Sequence, residues 1–171
     1  MEIIQQSTTF IKNFSNFALG NVRPDKRRRK NIYLNEIVRN VFKALEQSLD
    51  EKKVTPDLSD VEDSVASVRA FEIDWESILI NLITNSIHAM ERKTGNGRII
   101  KVAVRNDKNN VLLTFSDSGC GIESGTEDAI YLPTFSTRRN NRGTVVGTGM
   151  GLSIVKTFVE EHSDGHISGQ K

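Results

Sequence analysis

The sequence has little that would point to an extracellular, membrane-spanning or nucleic-acid-binding protein. Its single cysteine, Cys120, cannot form an internal disulfide, which favours a reducing compartment such as the cytoplasm. No apolar run approaches the roughly 18–20 residues that cross a bilayer, and the N-terminus lacks the basic-then-apolar layout of a signal peptide. The formal net charge is +1, so no general attraction to nucleic acid is expected. We therefore expect a cytoplasmic protein, while a longer parent protein with a membrane anchor stays open.

What is present is an ordinary globular composition of 171 residues, with 37% hydrophobic and 26% charged residues. Apolar residues recur at helical spacing over 2–19, which predicts a helix that either packs on the domain or belongs to a dimerisation bundle. The basic run 26–30 is either a solvated linker or a contact for nucleic acid or anionic lipid. The sequence thus predicts a helix and linker over 1–30 and one globular domain over 31–171.

Hydrophobic periodicity predicts alternating helices and strands in the rest of the chain. Strands are expected at 32–34, 54–58, 65–71, 98–105 and 111–116, with a polar hairpin connection at 106–110 and a last extended piece at 166–168. Helices are expected at 36–52, 75–92 and 151–163, the first two with Asn35 and Asp74 as N-caps. Helices and antiparallel strands in this order predict an α+β two-layer sandwich, with one sheet and helices on one face. The last extended piece has no following partner, so a truncated terminal strand and an open sheet edge are expected.

Polar side chains interrupt the otherwise apolar helix 75–92. Asn81, Asn85 and His88 fall within about 60° of one another at ~100° per residue. Because the rest of the circumference is apolar, a buried helix is predicted, and its amides need hydrogen-bond partners. Those partners are either neighbouring backbone groups or a ligand. An Asn carbonyl suits Mg²⁺ held jointly with phosphates, and a histidine can face a phosphate.

Glycines form two clusters after the last predicted strand. Asp117 ends that strand, and Gly119 and Gly121 follow, which fits a plain turn or a carboxylate that accepts a hydrogen bond from the amine of adenine. The run Gly147–Leu152 opens a helix, which fits a flexible hinge or a phosphate site at a helix start.

The segment between the two glycine clusters shows no convincing periodicity. Loops longer than ~12–15 residues are usually lids or binding loops. Phe135 is a candidate anchor for such a lid. The lid arginines Arg138, Arg139 and Arg142 either reach a terminal phosphate, where charge grows during transfer, or are solvated loop charges.

In this order, the motifs resemble the N, G1, F and G2 boxes of the GHKL ATPase superfamily. The matching runs are Asn81-x-x-x-Asn85, Asp117-x-Gly119-x-Gly121, Phe135-Ser136-Thr137-Arg138 and Gly147-Thr148-Gly149-Met150-Gly151-Leu152. The resemblance covers about residues 33–169. It implies the Bergerat α/β sandwich, with a mixed sheet, helices on one face, and a long lid. ATP and Mg²⁺ would bind between the N-box helix and the lid.

The resemblance also implies a role for each matching residue. Asn85 would bind the metal and, with Arg138, serve catalysis; Asp117 would read adenine; and His88 would contact phosphate. The nucleotide site implied in this way comprises Asn81, Asn85, His88, Ala89, Asp117, Gly119, Gly121, Ile122, Phe135, Ser136, Thr137, Arg138, Gly147, Thr148, Gly149, Met150, Gly151 and Leu152.

Position 81 favours one branch of the superfamily. The hydrolysing branches carry a Glu four residues before the metal-binding Asn to activate water, and an amide is not a general base. With Asn81 at this position, the chain resembles the sensor histidine kinase branch, in which a protein histidine attacks the γ-phosphate. The N-terminal stretch 10–24 is similar to the end of the second dimerisation helix of these kinases.

The chain departs from these kinases in lacking a phosphoacceptor box of the His-Glu type; its histidines are His88, His162 and His166. We therefore expect a domain that binds ATP but does not phosphorylate itself alone. The expected partners are a histidine-bearing dimerisation domain and a response regulator, within a full-length homodimer that binds no nucleic acid. The alternatives are a nucleotide-gated binding module without transfer activity and a slow ATPase.

Overall fold

The computed structural model describes residues 28–91, 97–136 and 149–169 of the chain. Strands within these ranges are β1 Lys30–Ile32, β2 Val54–Val61, β3 Val68–Ala70, β4 Arg98–Asp107 and β5 Asn110–Asp117. Helices in the same ranges are α1 Leu34–Ala44, α2 Glu46–Glu51, α3 Glu72–Glu91 and α4 Gly151–Glu160, and a 3-10 turn spans Ala129–Tyr131. None of the described helices has the length and apolar character needed to cross a membrane.

The central sheet contains three strands in the order β2-β4-β5, and its pairing is mixed, as expected. β2 runs parallel to β4, with Val54 opposite Arg98, whereas β4 and β5 form an antiparallel hairpin with Val102 opposite Phe115. β1 and β3 form a separate antiparallel pair. Among the described residues β5 pairs with β4 alone, so its outer edge is open.

The core lies between one face of this sheet and the helices. Ile100, Val102 and Val104 alternate along β4 and are fully buried, while Ile99 and Lys101 on the other face are exposed. The covering helices contribute Ile37, Val38, Val41 and Phe42 from α1 and Leu79, Ile83, Ile87 and Met90 from α3. The two-layer α+β prediction is therefore confirmed.

A second, smaller cluster packs α4 against α3. Val155 and Val159 of α4 are buried against Ile78 of α3, and the half-buried rings of Trp75 and Phe158 close the cluster. This contact sets the position of the first turn of α4, where the glycine-rich run ends. The predicted helix 151–163 is shorter than expected, because α4 ends at Glu160.

Both predicted N-caps are wrong, because each side chain has a tertiary partner instead. Asn35 lies inside α1, and its amide donates to the backbone oxygens of Glu62 and Asp63 at 3.1 and 2.9 Å. Asp74 lies in the first turn of α3, and its carboxylate is 2.7 Å from Nδ1 of His162.

Several predicted boundaries also differ from the structure. The helix predicted at 36–52 is broken at Leu45, whose ψ of 3° separates α1 from α2. The strands predicted at 32–34 and 65–71 are β1 and the shorter β3. The β4–β5 connection is tighter than the predicted 106–110, since only two residues separate the strands. No strand forms at 166–168 in the described part of the chain.

The predicted helix at 2–19 lies outside the described residues. The end of the basic run is described, and it contacts the domain rather than lying free in solvent. Arg29 pairs with Asp164 at 2.5 Å, and Lys30 pairs with Glu72 at 2.6 Å. These contacts hold β1 beside the start of α3 and the turn after α4.

Candidate functional site

The three polar residues predicted to share one side of α3 do not form a buried stripe. Asn85 is exposed, whereas Asn81 and His88 are half-buried. The Asn81 amide donates to the backbone oxygen of Ser77 at 2.9 Å, which is one of the two predicted arrangements. The Asn85 amide makes no hydrogen bond within the part of the chain that the structure describes. The exposed Asn85 side chain can therefore offer its carbonyl oxygen to a ligand.

The start of α4 lies directly against this stripe. A Cβ placed on Gly151 would lie 3.1 Å from Oδ1 of Asn81 and 3.7 Å from Nδ2 of Asn85. The first backbone N–H groups of a helix have no partner within the helix, and they attract anions. The close approach at Gly151 thus brings the N–H groups at the start of α4 beside the side-chain amides of Asn81 and Asn85. Such N–H donors are what a phosphate site requires.

The turn after β5 lies against α3 as well. Oδ1 of Asp117 accepts the backbone N–H of Gly119 at 2.8 Å, and Oδ2 accepts the hydroxyl of Ser86 at 2.7 Å. A Cβ on Gly119 would lie 2.7 Å from Cβ of Ala89, so only glycine permits this approach. Gly119 thus allows the turn after β5 to lie directly against α3.

Ser86 is a member of the site that sequence reasoning missed. It follows Asn85 directly, but its side chain lies on the buried side of α3 and is 2% exposed. The available signal was a hydroxyl on an otherwise apolar helix face. A buried hydroxyl requires a hydrogen-bond partner, and that partner is Asp117.

The segment before the lid contacts the second glycine run. Gly149 has a φ of +65°, and a Cβ there would lie 2.3 Å from the carbonyl carbon of Thr134 and 2.7 Å from the backbone nitrogen of Phe135. The Lys156 ammonium lies 5.7 Å from the centre of the Tyr131 ring, so the 3-10 turn also lies beside α4. The backbone next to Phe135 is therefore packed against the run that opens α4, and the Phe135 side chain is half-buried. Its role as a lid anchor stays a prediction.

The remaining predicted residues divide between described and undescribed parts of the chain. Gly121 has a φ of +73°, Met150 is 49% exposed, and Ile122, Ser136 and Leu152 are half-buried. The other predicted residues, Thr137, Arg138, Gly147 and Thr148, lie outside the described residues, as do Arg139 and Arg142. Their roles stay predictions.

His88 has a carboxylate partner at the end of α3. Its Nδ1 lies 3.2 Å from Oε2 of Glu91, and Lys52 Nζ lies 2.9 Å from Oε1 of the same carboxylate. Burial raises the pKa of Glu91, but hydrogen bonds from Lys52 and His88 outweigh burial and hold this pKa below its ordinary value. Contact between His88 and a phosphate stays a prediction.

Replacing Glu91 by glutamine should weaken the acid dependence of stability. A carboxyl with a lowered folded-state pKa contributes stability that is present above its ordinary value of 4.5 and is lost as the pH falls through the folded-state value. Melting temperatures measured between about pH 6 and pH 3 should therefore fall less steeply for Glu91→Gln than for the wild type. Glu123→Gln, at an exposed loop position, is the control; parallel curves for wild type and Glu91→Gln would refute this role.

Sequence comparison connects this geometry to known proteins. A model of the family described as histidine kinase-, DNA gyrase B- and HSP90-like ATPase matches residues 71–170. The sensor histidine kinase ZraS of Klebsiella oxytoca is 28% identical over 142 residues, which are 82% of this chain and 28% of ZraS. A putative sensor protein of Shewanella frigidimarina is 38% identical over 85 residues, which are 50% of this chain and 12% of that protein. The chain thus spans little more than a quarter of the length of ZraS.

Solved structures show the same fold. The catalytic domain of the histidine kinase ThkA in a nucleotide-free form superposes with a TM-score of 0.66 at 26% identity, covering 84% of this chain and 89% of that domain. ThkA in complex with the response regulator protein TrrA superposes with a TM-score of 0.63 at 22% identity, covering 95% of this chain and 43% of that chain. With the match over residues 71–170, this shows that the chain belongs to the histidine kinase-, DNA gyrase B- and HSP90-like ATPases, as the GHKL motifs predicted.

Proposed function

We propose that the chain is the ATP-binding catalytic domain of a sensor histidine kinase, and that it transfers the γ-phosphoryl group of ATP to a histidine outside this chain. The observation that carries this proposal is the contact of α3 with both glycine clusters. Gly119 packs against Ala89, and Gly151 packs against Asn81 and Asn85. A single nucleotide between these elements would meet a carboxylate at one end and helix N–H groups at the other.

Asp117 is the residue proposed to recognise the adenine base. Its carboxylate stands at the end of β5, where it can accept a hydrogen bond from the exocyclic amine of adenine but has no proton to donate. Ala89 and Ile122 are half-exposed and would contribute apolar contact with the ring. The proposed site thus recognises adenine by its amine and its flat shape.

Asn85 is the proposed ligand for Mg²⁺. Its amide is exposed and without a hydrogen bond in the described part of the chain, and a neutral oxygen ligand suits Mg²⁺ that is shared with phosphate oxygens. When bound, the metal would offset the charge of the phosphates. The adjacent start of α4, at Gly151, would hold those phosphates through backbone N–H groups.

The residue at position 81 supports transfer rather than hydrolysis. The Asn81 amide cannot remove a proton from water, and its nitrogen already donates to the Ser77 backbone oxygen. Phosphoryl transfer depends mainly on positioning and charge neutralisation, which need no base at this position. We propose that an incoming histidine supplies the nucleophile, with Arg138 of the lid near the transferred group.

The histidines of the chain support an acceptor located elsewhere. Nδ1 of His162 is bound to Asp74 at 2.7 Å, and its ring stacks on Phe158. His88 lies beside Glu91, and Nδ1 of His166 lies 3.8 Å from Oε1 of Glu160. We propose that the acceptor belongs to a separate dimerisation domain of a homodimeric, cytoplasmically exposed kinase, which then passes the phosphoryl group to a response regulator.

The test is transfer of a labelled phosphoryl group. The chain, Mg²⁺ and γ-labelled ATP are mixed with the separately produced dimerisation domain of the parent protein. We expect acid-labile, base-stable label on that domain and none on the chain alone. A dimerisation domain whose acceptor histidine is replaced by glutamine should remain unlabelled.

Two results would contradict the proposal. ATP binding without label on the dimerisation domain would favour a nucleotide-gated binding module. Steady release of inorganic phosphate by the isolated chain would instead indicate an ATPase, despite the amide at Asn81.

A further inference from the structure

Ser86 connects the buried side of α3 to the carboxylate proposed to read the base. Its hydroxyl donates to Oδ2 of Asp117 at 2.7 Å, while Oδ1 of the same carboxylate accepts the Gly119 N–H at 2.8 Å. Ser86 is 2% exposed, whereas Asp117 is exposed. A buried donor on α3 therefore holds the second oxygen of an exposed carboxylate whose first oxygen is held by the Gly119 N–H.

Two hydrogen bonds, one on each oxygen, fix both the position and the plane of the carboxylate. An ionised carboxylate accepts about four hydrogen bonds, so Asp117 keeps the capacity to accept a further one. Because the ionised carboxylate can only accept hydrogen bonds, it can pair with an exocyclic amine of a ligand. It would repel a ligand that carries a carbonyl oxygen at the same place. Its ability to select a ligand thus depends on its orientation.

The surroundings of the Ser86 hydroxyl on α3 are apolar. The neighbouring positions on this side of the helix, Ile83 and Ile87, are part of the hydrophobic core. A buried hydroxyl is costly unless it is paired, and its pairing here is with Asp117. The Ser86 hydroxyl thus serves to hold the Asp117 carboxylate rather than to pack the hydrophobic core.

We propose that Ser86 is a positioning residue that orients Asp117 and so sets a preference for a 6-aminopurine nucleotide. This inference rests on the proposed nucleotide site. Ser86 does not touch the nucleotide; it acts through the direction in which the Asp117 carboxylate accepts.

The test compares the affinities of two nucleotides for two proteins, the wild type and Ser86→Ala. The full chain and Ser86→Ala are titrated calorimetrically with the magnesium complexes of ATP and of purine riboside triphosphate, which lacks the 6-amine. A hydrogen bond to a charged group contributes enough for the wild type to favour ATP by about tenfold or more. In Ser86→Ala this preference should fall to about twofold, because the Gly119 N–H alone holds one oxygen and leaves the plane of the carboxylate free to rotate.

Controls separate positioning from general damage. Ser48→Ala makes the same change at a buried position of α2, a helix without predicted site residues, and should keep the full preference. Ser86→Cys keeps the volume with a weaker donor and should lie between wild type and alanine. An unchanged preference in Ser86→Ala, with ATP still bound, would overturn the role of Ser86 alone. Failure of the wild type to bind either nucleotide would overturn the proposed site as well.

Discussion

Replacing Asn85 by alanine should remove the magnesium-dependent part of nucleotide binding. Even partners behind a metal ligand typically change metal affinity 10–100-fold, so loss of the ligand itself should weaken binding of Mg-ATP by at least about 100-fold. The variant should remain folded, because the Asn85 side chain is exposed and alanine is the better helix former. The measurement is nucleotide affinity with Mg²⁺ and with a chelator.

The matched control is Asn40→Ala, which makes the same change at an exposed position of α1. It should leave nucleotide binding unchanged. Asn85→Ala with wild-type affinity in Mg²⁺ would remove the metal assignment. Equal weakening in Mg²⁺ and in chelator would place Asn85 against the nucleotide rather than the metal.

The second large effect is expected for Gly149→Ala. The new Cβ would overlap the backbone of Thr134 and Phe135, with contacts of 2.3 to 2.7 Å that no flexible side chain can relieve. The left-handed φ of +65° adds roughly 1–2 kcal/mol of strain. The segment at 134–135 and the start of α4 must then separate, and we expect ATP affinity to fall by more than about tenfold, because each 1.4 kcal/mol is tenfold.

Gly125→Ala separates strain from overlap. Gly125 also has a positive φ, of +85°, but a Cβ there would have no neighbour within 4 Å. It should therefore show the backbone strain alone and keep nearly normal ATP affinity. If Gly149→Ala and Gly125→Ala behaved alike in calorimetry and melting, the contact between Gly149 and the 134–135 backbone would not shape the site.

Local patterns were sufficient to predict the layers of the fold but not several of its tertiary contacts. The β4–β5 hairpin follows from alternating apolar residues around a polar connection, and the face of β4 with Ile100, Val102 and Val104 is buried as such alternation predicts. The parallel pairing of β2 with β4 joins residues 44 positions apart at Val54 and Arg98, which no local pattern specifies.

The wrong caps show the same limit. Asn35 and Asp74 each stand just before an apolar helical run, and capping preference alone predicts an N-cap at such positions. In the structure, the two side chains bind groups distant in sequence, the 62–63 backbone and His162. A capping rule has no access to such partners, because they become neighbours only when the domain folds.

The sequence indicated candidate site residues but not the residue that supports one of them. Asp117 and Gly119 were found because a carboxylate and a glycine at a strand end are locally unusual. Ser86 was missed because a single hydroxyl barely alters the hydrophobic pattern of α3, although it holds Asp117. The prediction that Asn85 is buried was wrong for a related reason: periodicity showed that Asn85 shares a side of α3 with Asn81, but not that its side chain is exposed there.

The most direct test of the central claim is a crystal structure of the chain with Mg²⁺ and a nonhydrolysable ATP analogue. We predict the adenine amine within hydrogen-bond distance of Asp117, the metal bound by Asn85, and the phosphates beside the N–H groups at Gly151. Adenine away from Asp117, or phosphates away from the start of α4, would contradict the account.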